Sequence, residues 1–65
     1  MSDKGNLQFL RMPDVIRRTG MSRATVYRRI GAGEFPRQRQ ISPNVVGWLD
    51  HEITEWIISR PPVHT

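Results

Sequence analysis

The sequence predicts a small, mainly helical domain that carries one β-hairpin. Three observations support this fold class. Two short helical patterns in residues 12–19 and 23–30 are separated by Gly20 and Ser22. An alternating, β-prone segment follows in residues 37–48, and a third amphipathic pattern covers residues 49–60. The chain has 65 residues, so we expect one domain whose core leaves little stability to spare for a buried catalytic cleft.

The first helix is predicted to begin at Pro13, because the fixed φ of proline suits the first helical position. Its inward stripe at i, i+3, i+4 and i+7 is Met12, Val15, Ile16 and Thr19. Gly20 can adopt the left-handed conformation that ends such a helix. The short apolar stretch Leu7, Phe9 and Leu10 favours a brief strand before it.

The second helix is predicted to run from Arg23 to Ile30, with Ser22 as its N-cap. Gly31 and Gly33 are expected to stop it. Two short helices joined by a tight, glycine-containing turn are typical of the helix-turn-helix, in which the second helix enters the major groove of DNA.

The outer face of the second helix is small and basic. The helical repeat places Val26 and Ile30 on the inner face, which turns Ala24 and Arg28 most directly outward. The flanking positions are Arg23, Thr25, Tyr27 and Arg29. A face of this shape and charge suits a major groove.

Residues 37–48 predict a small hairpin, or wing. Residues 37–41 alternate, the turn is Ser42-Pro43-Asn44, and residues 45–48 are β-prone. The four polar side chains of the first strand alternate between its faces, with Arg37 and Arg39 on one and Gln38 and Gln40 on the other. Either pair is placed to reach a phosphate or a minor groove.

A third helix is predicted with Asp50 as its cap. Its core-facing stripe is Leu49, Ile53, Trp56 and Ile57, and we expect it to close over the first two helices. Ile58 lies off that stripe and is expected to be exposed. Phe35, Trp48 and Trp56 are interpreted as core side chains, since a domain this small needs their apolar area.

The positive charge is concentrated in the first two thirds of the chain. Residues 11–41 hold eight arginines against Asp14 and Glu34, a net charge of +6, within a total of +4. Residues 42–65 have a net charge of −2. Because arginine can bond bidentately to a phosphate or a guanine edge, this distribution points to DNA.

Other functional classes find little support. The absence of cysteine excludes disulfides, thiolate metal sites and a cysteine nucleophile. His51 has no second ligand at helical spacing, and no His or Lys is placed to activate Ser22. The carboxylates of the third helix, Asp50, Glu52 and Glu55, are interpreted as a solvated face. We therefore expect a protein without catalytic residues, metal or cofactor.

The expected folded unit covers residues 7–60, between flexible tails at residues 1–6 and 61–65. The Pro61-Pro62 pair ends any helix that reaches it. No apolar run is long enough to span a bilayer, so a cytoplasmic, nucleoid-associated location is the default expectation.

Five motifs occur in order along the chain: Leu10-Arg-Met-Pro-Asp-Val15, Thr19-Gly-Met-Ser-Arg-Ala-Thr-Val-Tyr-Arg28, Phe35-Pro36, Val46-Gly-Trp48 and Ile53-Thr-Glu-Trp-Ile57. Their order and spacing resemble the AlpA family of prophage regulators, small relatives of the phage excisionases and of MerR-type winged helix domains. The resemblance covers about positions 9 to 60. It departs at the wing tip, where family members often have glycine at the position of Ser42 and a basic residue at that of Asn44.

The resemblance implies a winged helix-turn-helix that binds DNA near phage or integrated-element genes. Members activate or repress those genes, and some assist excision with an integrase. Carried over to this chain, the recognition helix falls on Ser22 to Ile30 and the wing on Arg37 to Trp48. The outward positions are again Ala24, Thr25, Tyr27 and Arg28.

Arg28 is the leading candidate for a base contact, with a phosphate contact as the alternative. Ala24 either touches a thymine methyl or allows close approach. Thr25 and Tyr27 bond phosphate or complete local packing, Tyr27 by lying over the wing. The expected phosphate contacts are Arg23, Arg29, Ser22, Arg17 and Arg18, with solvated surface charge as the alternative for Arg17 and Arg18. The expected wing contacts are Arg37, Gln38, Arg39, Gln40 and Asn44.

Three functions compete at this point. The leading hypothesis is a sequence-specific transcriptional regulator that binds as more than one copy, because one small module offers few base contacts. A second is an excisionase-like protein that bends DNA and assists an integrase. A third is a protein-interaction module whose basic face meets an acidic partner. RNA binding is disfavoured, since no exposed aromatic platform is apparent.

Overall fold

The computed structural model describes residues 8–63. The elements in chain order are β1 (Phe9–Leu10), α1 (Met12–Thr19), α2 (Arg23–Gly31), β2 (Arg39–Ser42), β3 (Val45–Leu49) and α3 (Asp50–Ile58). Three helices and a small antiparallel sheet confirm the predicted winged helix-turn-helix. The expected N-terminal tail, Leu7 of the predicted lead-in strand and residues 64–65 lie outside the described residues.

The sheet has the strand order β1-β3-β2, so β3 is its central strand. Leu10 of β1 pairs with Trp48, and Arg39 of β2 pairs with Gly47. The predicted hairpin is therefore present, but its first strand begins at Arg39 instead of Arg37. The strands continue closer to the tip than predicted, which leaves residues 43–44 as the turn.

Helix α1 begins one residue before the predicted start. Arg11 is its N-cap, and the Arg11 backbone N–H donates to Asp14 Oδ2 at 3.1 Å. Pro13 occupies the second helical position, which is also in the first turn and needs no N–H donor. As predicted, Gly20 ends the helix in the left-handed conformation (φ 76°) and donates to the Ile16 carbonyl at 2.8 Å.

Helix α2 has the predicted cap. Ser22 Oγ accepts the Thr25 backbone N–H at 3.2 Å, which satisfies one of the free donors of the first turn. The helix continues one residue beyond the predicted end and includes Gly31. Ala32 is its C-cap, and the left-handed residue that turns the chain away is Gly33 (φ 76°).

The predicted cap of α3 is wrong. Asp50 is the first residue of the helix, and its N-cap is Leu49, whose backbone N–H donates to Glu52 Oε1 at 3.3 Å. The reason is that β3 runs directly into α3: the Asp50 N–H still donates to the Gln8 carbonyl at 2.7 Å, in line with the β1 pairing. The Asp50 carboxylate is thus free to bond side chains.

The core lies where the three helices and the sheet meet. Its buried members are Leu10, Met12, Val15, Val26, Phe35, Trp48 and Ile53. Trp56 and Ile57 of α3 pack against this cluster as predicted, while Leu49 is half-buried at the end of β3. Ile58 is exposed, also as predicted.

Two tryptophans hold the connector, which we define as residues 32–38 between α2 and β2. The Trp48 indole N–H donates to the Pro36 carbonyl at 2.8 Å, and that of Trp56 donates to the Glu34 carbonyl at 2.9 Å. The Phe35 ring packs edge-on against both indoles, with centroid distances of 6.2 and 4.7 Å. These contacts fix the position of the wing relative to α2.

Within residues 8–63, every helix is too short or too polar to cross a membrane.

Candidate nucleic-acid interface

The outward side of α2 carries the side chains that the helical repeat predicts. Val26 is fully buried, and the helix therefore presents its opposite side to solvent. Its exposed residues are Arg23, Ala24, Tyr27 and Arg28, and Thr25 and Arg29 are half-buried at the flanks. We call the six residues 23–25 and 27–29 the outer face of α2.

A chain of polar contacts runs along this face from the N-cap. Ser22 Oγ donates to Thr25 Oγ1 at 3.0 Å, and Arg28 Nη2 lies 3.5 Å from the same oxygen. The second contact is at the outer limit of a hydrogen bond. Thr25 therefore takes part in the local contacts of the cap, and the Arg28 side chain points toward the N-terminal end of α2. Within residues 8–63, most hydrogen-bond donors of the Arg28 guanidinium remain free.

Several arginines are bound to the protein's own carboxylates. Arg17 pairs with Asp14 three residues before it in α1. Arg18 pairs with Asp50 and also donates to Thr54 Oγ1 at 2.7 Å, which joins α1 to α3. Both arginines of α1 that were expected to contact phosphate are therefore paired with carboxylates.

In the wing, Arg39 forms a two-point contact with Glu52 of α3. Its Nε and Nη2 donate to Glu52 Oε1 and Oε2 at 3.1 and 2.8 Å. The Arg39 hydrogen bond is the main cause that lowers the pKa of Glu52 below its usual range, helped by the Leu49 N–H and opposed by partial burial. Arg39 therefore holds the wing against α3.

The prediction that the α3 carboxylates form a solvated face is wrong for two of the three. The side chains of Asp50 and Glu52 are only 34% and 23% exposed, and each holds an arginine from another element. Glu55 alone is exposed as predicted. The ion pairs join residues 13 and 32 positions apart, so helical spacing gave no sign of them.

The other predicted wing residues differ in their surroundings. The Gln40 amide donates to the Pro43 carbonyl at 3.0 Å and thereby closes the wing turn. Asn44 is exposed in that turn, and Arg37 is exposed in the connector, before β2 begins. Arg29 lies 3.8 Å from Glu34, a loose pair between two partly exposed groups.

A cleft of about 250 Å³ separates α2 from the wing. Arg11 at the start of α1 and Arg23 at the start of α2 line it, together with Tyr27 and Gln38. Tyr27 is 47% exposed, so the expected packing over the wing is only partial. Sequence reasoning missed Arg11, whose one signal was its position directly before the first helix.

Within residues 8–63, no three histidine or acidic side chains come together as a metal site would require.

The fold and the outer face of α2 define a small winged helix-turn-helix domain with a basic second helix. The family model described as "Prophage CP4-57 regulatory protein (AlpA)" matches residues 8–61, and the chain belongs to this family. The resemblance found in the sequence motifs is thereby confirmed.

Two relatives illustrate the match. The chain is 36% identical over 66 residues to the "DNA-binding transcriptional activator AlpA" of Escherichia coli K12, which covers 92% of this chain and 94% of the relative. It is 43% identical over 53 residues to an uncharacterised protein, ORF88, of Enterobacteria phage P4, with 82% of this chain and 60% of that protein covered. No solved structure matches the chain significantly.

Proposed function

We propose that this protein is a sequence-specific, DNA-binding transcriptional regulator of a prophage or integrated element. In this proposal α2 lies in the major groove, and the wing reaches the adjacent backbone or minor groove. The family match and the name of the E. coli relative support the class of function. The structure supports the choice of the binding face. On this basis we place the protein at the nucleoid, in the cytoplasm.

The observation that carries the proposal is the division of the arginines. Carboxylates of the domain neutralise Arg17, Arg18 and Arg39. Within residues 8–63, the arginines without a carboxylate partner are Arg11, Arg23, Arg28, Arg37 and Arg60, and Arg60 lies over the Trp56 ring at 4.2 Å. The other four belong to the starts of α1 and α2, the outer face of α2 and the connector.

This division ranks the proposed contacts. We assign Arg28 to a guanine edge, with Ala24 beside it allowing close approach of the helix to the bases. Arg23 and Arg37 are assigned to phosphates, and Thr25 and Ser22 to supporting Arg28. The side chains of second rank are Arg17, Arg18, Arg29 and Arg39, since each must leave a carboxylate before it binds a phosphate.

The test is selection of binding sites from randomised duplexes, followed by titration of the selected duplex at several salt concentrations. We expect enrichment of a short motif and a log-log salt slope of roughly −4 to −8, as for the neutralisation of that many phosphates. No enrichment together with a flat salt response would reject DNA as the partner and favour the protein-interaction module.

We further propose that the protein occupies its operator as more than one copy, because nine residues of α2 offer few base contacts. Spaced repeats in the selected sites and a stoichiometry above one protein per duplex would support this. Several adjacent sites with strong bending of the duplex would instead favour the excisionase-like role with an integrase. The name of the E. coli relative favours the regulator.

A further inference from the structure

Two arginines line the cleft between α2 and the wing, and the sequence did not predict that they would lie together. Arg11 and Arg23 come from the starts of two different helices and line the same cavity of about 250 Å³. Among residues 8–63, no acidic side chain lines it. The four ion pairs of the described residues all involve other arginines.

The walls of the cleft suit an anion that is partly apolar around its charge. Tyr27 from α2 and Gln38 from the connector add a hydroxyl and an amide, both able to donate hydrogen bonds. Val46 and Trp48 of β3 form an apolar wall on the wing side. The volume equals that of about eight water molecules, enough for a phosphodiester with part of its hydration.

We infer that this cleft is a seat for one DNA backbone phosphate, held between Arg11 and Arg23. The inference rests on the proposed function, because it takes α2 and the wing to approach the same duplex. It adds Arg11, the N-cap of α1, to the interface. Two guanidinium groups from separate elements would fix both the charge and the position of the phosphate.

The position of the cleft explains why a phosphate bound there would affect how the protein is positioned on the duplex. The connector is held by the Trp48 and Trp56 indoles, so the wing side of the cleft keeps its distance from α2. A phosphate bound there sets how far the outer face of α2 enters the groove. Phosphate contacts of this kind orient a protein on the duplex without reading its sequence.

The test compares Arg11→Ala and Arg11→Lys with wild type on the selected duplex. Loss of one phosphate contact should reduce the salt slope by about one and the affinity by about tenfold near 0.1 M salt. Arg11→Lys should keep the slope, since it keeps the charge. The matched control is Arg60→Gln, which removes the same charge from a residue that does not line the cleft and should leave the slope unchanged.

Folding of the variant is checked by thermal unfolding. The Arg11 side chain makes no hydrogen bond within residues 8–63, and its backbone bond to Asp14 survives the alanine substitution. We therefore expect an unchanged Tm. Equal affinity and slope for Arg11→Ala and wild type would overturn the inference alone, whereas failure of wild type to bind any duplex would overturn the proposed function and this inference with it.

A second measurement locates the phosphate. Duplexes in which one phosphate at a time is replaced by an uncharged methylphosphonate should include one that weakens wild type by about tenfold but weakens Arg11→Ala clearly less, because only the Arg23 contact remains to be lost. Additive losses at every position would overturn the inference. A rise in Tm in inorganic phosphate that is larger for wild type than for Arg11→Ala, combined with additive losses, would identify a free-anion site instead.

Discussion

The outer face of α2 and the junction between the wing and α3 both contain arginine, but they use it differently. On α2, the Arg28 side chain forms one hydrogen bond within residues 8–63, to the Thr25 hydroxyl at 3.5 Å, and keeps most of its donors free. At the junction, Arg39 is bound at two points by Glu52. The same residue type is therefore available to a ligand in one region and joins two elements of the protein in the other.

The net charge of a segment therefore overstates the number of arginines that are available to bind a ligand. Residues 11–41 carry eight arginines, yet the carboxylates of Asp14, Asp50 and Glu52 bind three of them. Two of those carboxylates come from α3, in the acidic part of the chain. The remaining cations lie around α2 and the cleft beside it.

The largest expected effect is a loss of stability from a substitution in the sheet, away from α2. In Gly47→Ala the new Cβ would lie 2.5 Å from the Leu10 carbonyl oxygen, so β1 and β3 must move apart. We expect a loss of roughly 2–3 kcal/mol in the free energy of unfolding, measured by urea denaturation.

The control for this substitution is Gly31→Ala. Apart from the adjacent residues and the backbone of its own helix, no atom of residues 8–63 lies within 4 Å of the position that the new Cβ would occupy, and alanine favours the helical conformation of that residue. Its stability should equal or slightly exceed that of wild type. Equal stability of the two variants would show that β1 and β3 do not need this close approach.

The next effect tests the α2 side directly. Arg28→Ala should weaken binding to the selected duplex by about 1–3 kcal/mol and relax the base preference at one position, because the proposed function assigns the Arg28 guanidinium to a guanine edge. Arg17→Ala, which removes an arginine already paired with Asp14, should cost less and leave the preference intact. Equal effects on specificity would erase the distinction between free and paired arginines.

A smaller effect concerns the turn that orients α2. Gly20 has φ 76° and open space around it, so Gly20→Ala should cost about 1 kcal/mol of stability from backbone conformation alone. Gly20→Asn should cost less, because asparagine tolerates the left-handed region better. Thermal unfolding of both variants measures this, and a larger loss for asparagine would contradict the account.

The smallest expected effect is the pH dependence of the stability that the Arg39–Glu52 pair contributes. Because the pKa of Glu52 is lower in the folded protein, its pair with Arg39 contributes stability that is complete above the usual glutamate pKa of about 4.3. That contribution is lost as the pH falls through the lower folded pKa. Glu52→Gln should therefore differ most from wild type at neutral pH and converge with it in acid.

Urea denaturation between about pH 2.5 and 7 checks this difference. Glu55→Gln, on the same helix but exposed, is the matched control and should parallel wild type throughout. A constant difference between Glu52→Gln and wild type at all pH values would mean that the charge of Glu52 does not support the wing.

Local features of this fold could be predicted from the sequence. The inward stripe of α1, the Ser22 cap and the left-handed Gly20 each depend on residues within one or two turns. The recognition helix and its exposed side chains followed from the same short-range periodicity, and the family followed from the order of the motifs.

Features that depend on packing between distant segments could not be predicted from the sequence. The Arg18–Asp50 and Arg39–Glu52 pairs require α3 to lie against α1 and the wing. The start of α3 was misplaced because β3 runs into it without a loop, which the cap preference of Asp50 concealed. The meeting of Arg11 and Arg23 in one cleft likewise depends on how α1, α2 and the wing are arranged.

The two indole hydrogen bonds to the connector have a further consequence for the DNA. The spacing between α2 and the wing is set when the chain folds, so little conformational entropy remains to be lost when a duplex binds. If α2 and the wing contact the same duplex as proposed, this fixed spacing favours one width of the groove. We then expect duplexes whose flanking steps deform easily to that width to bind more tightly than stiff ones, even when every contacted base is the same.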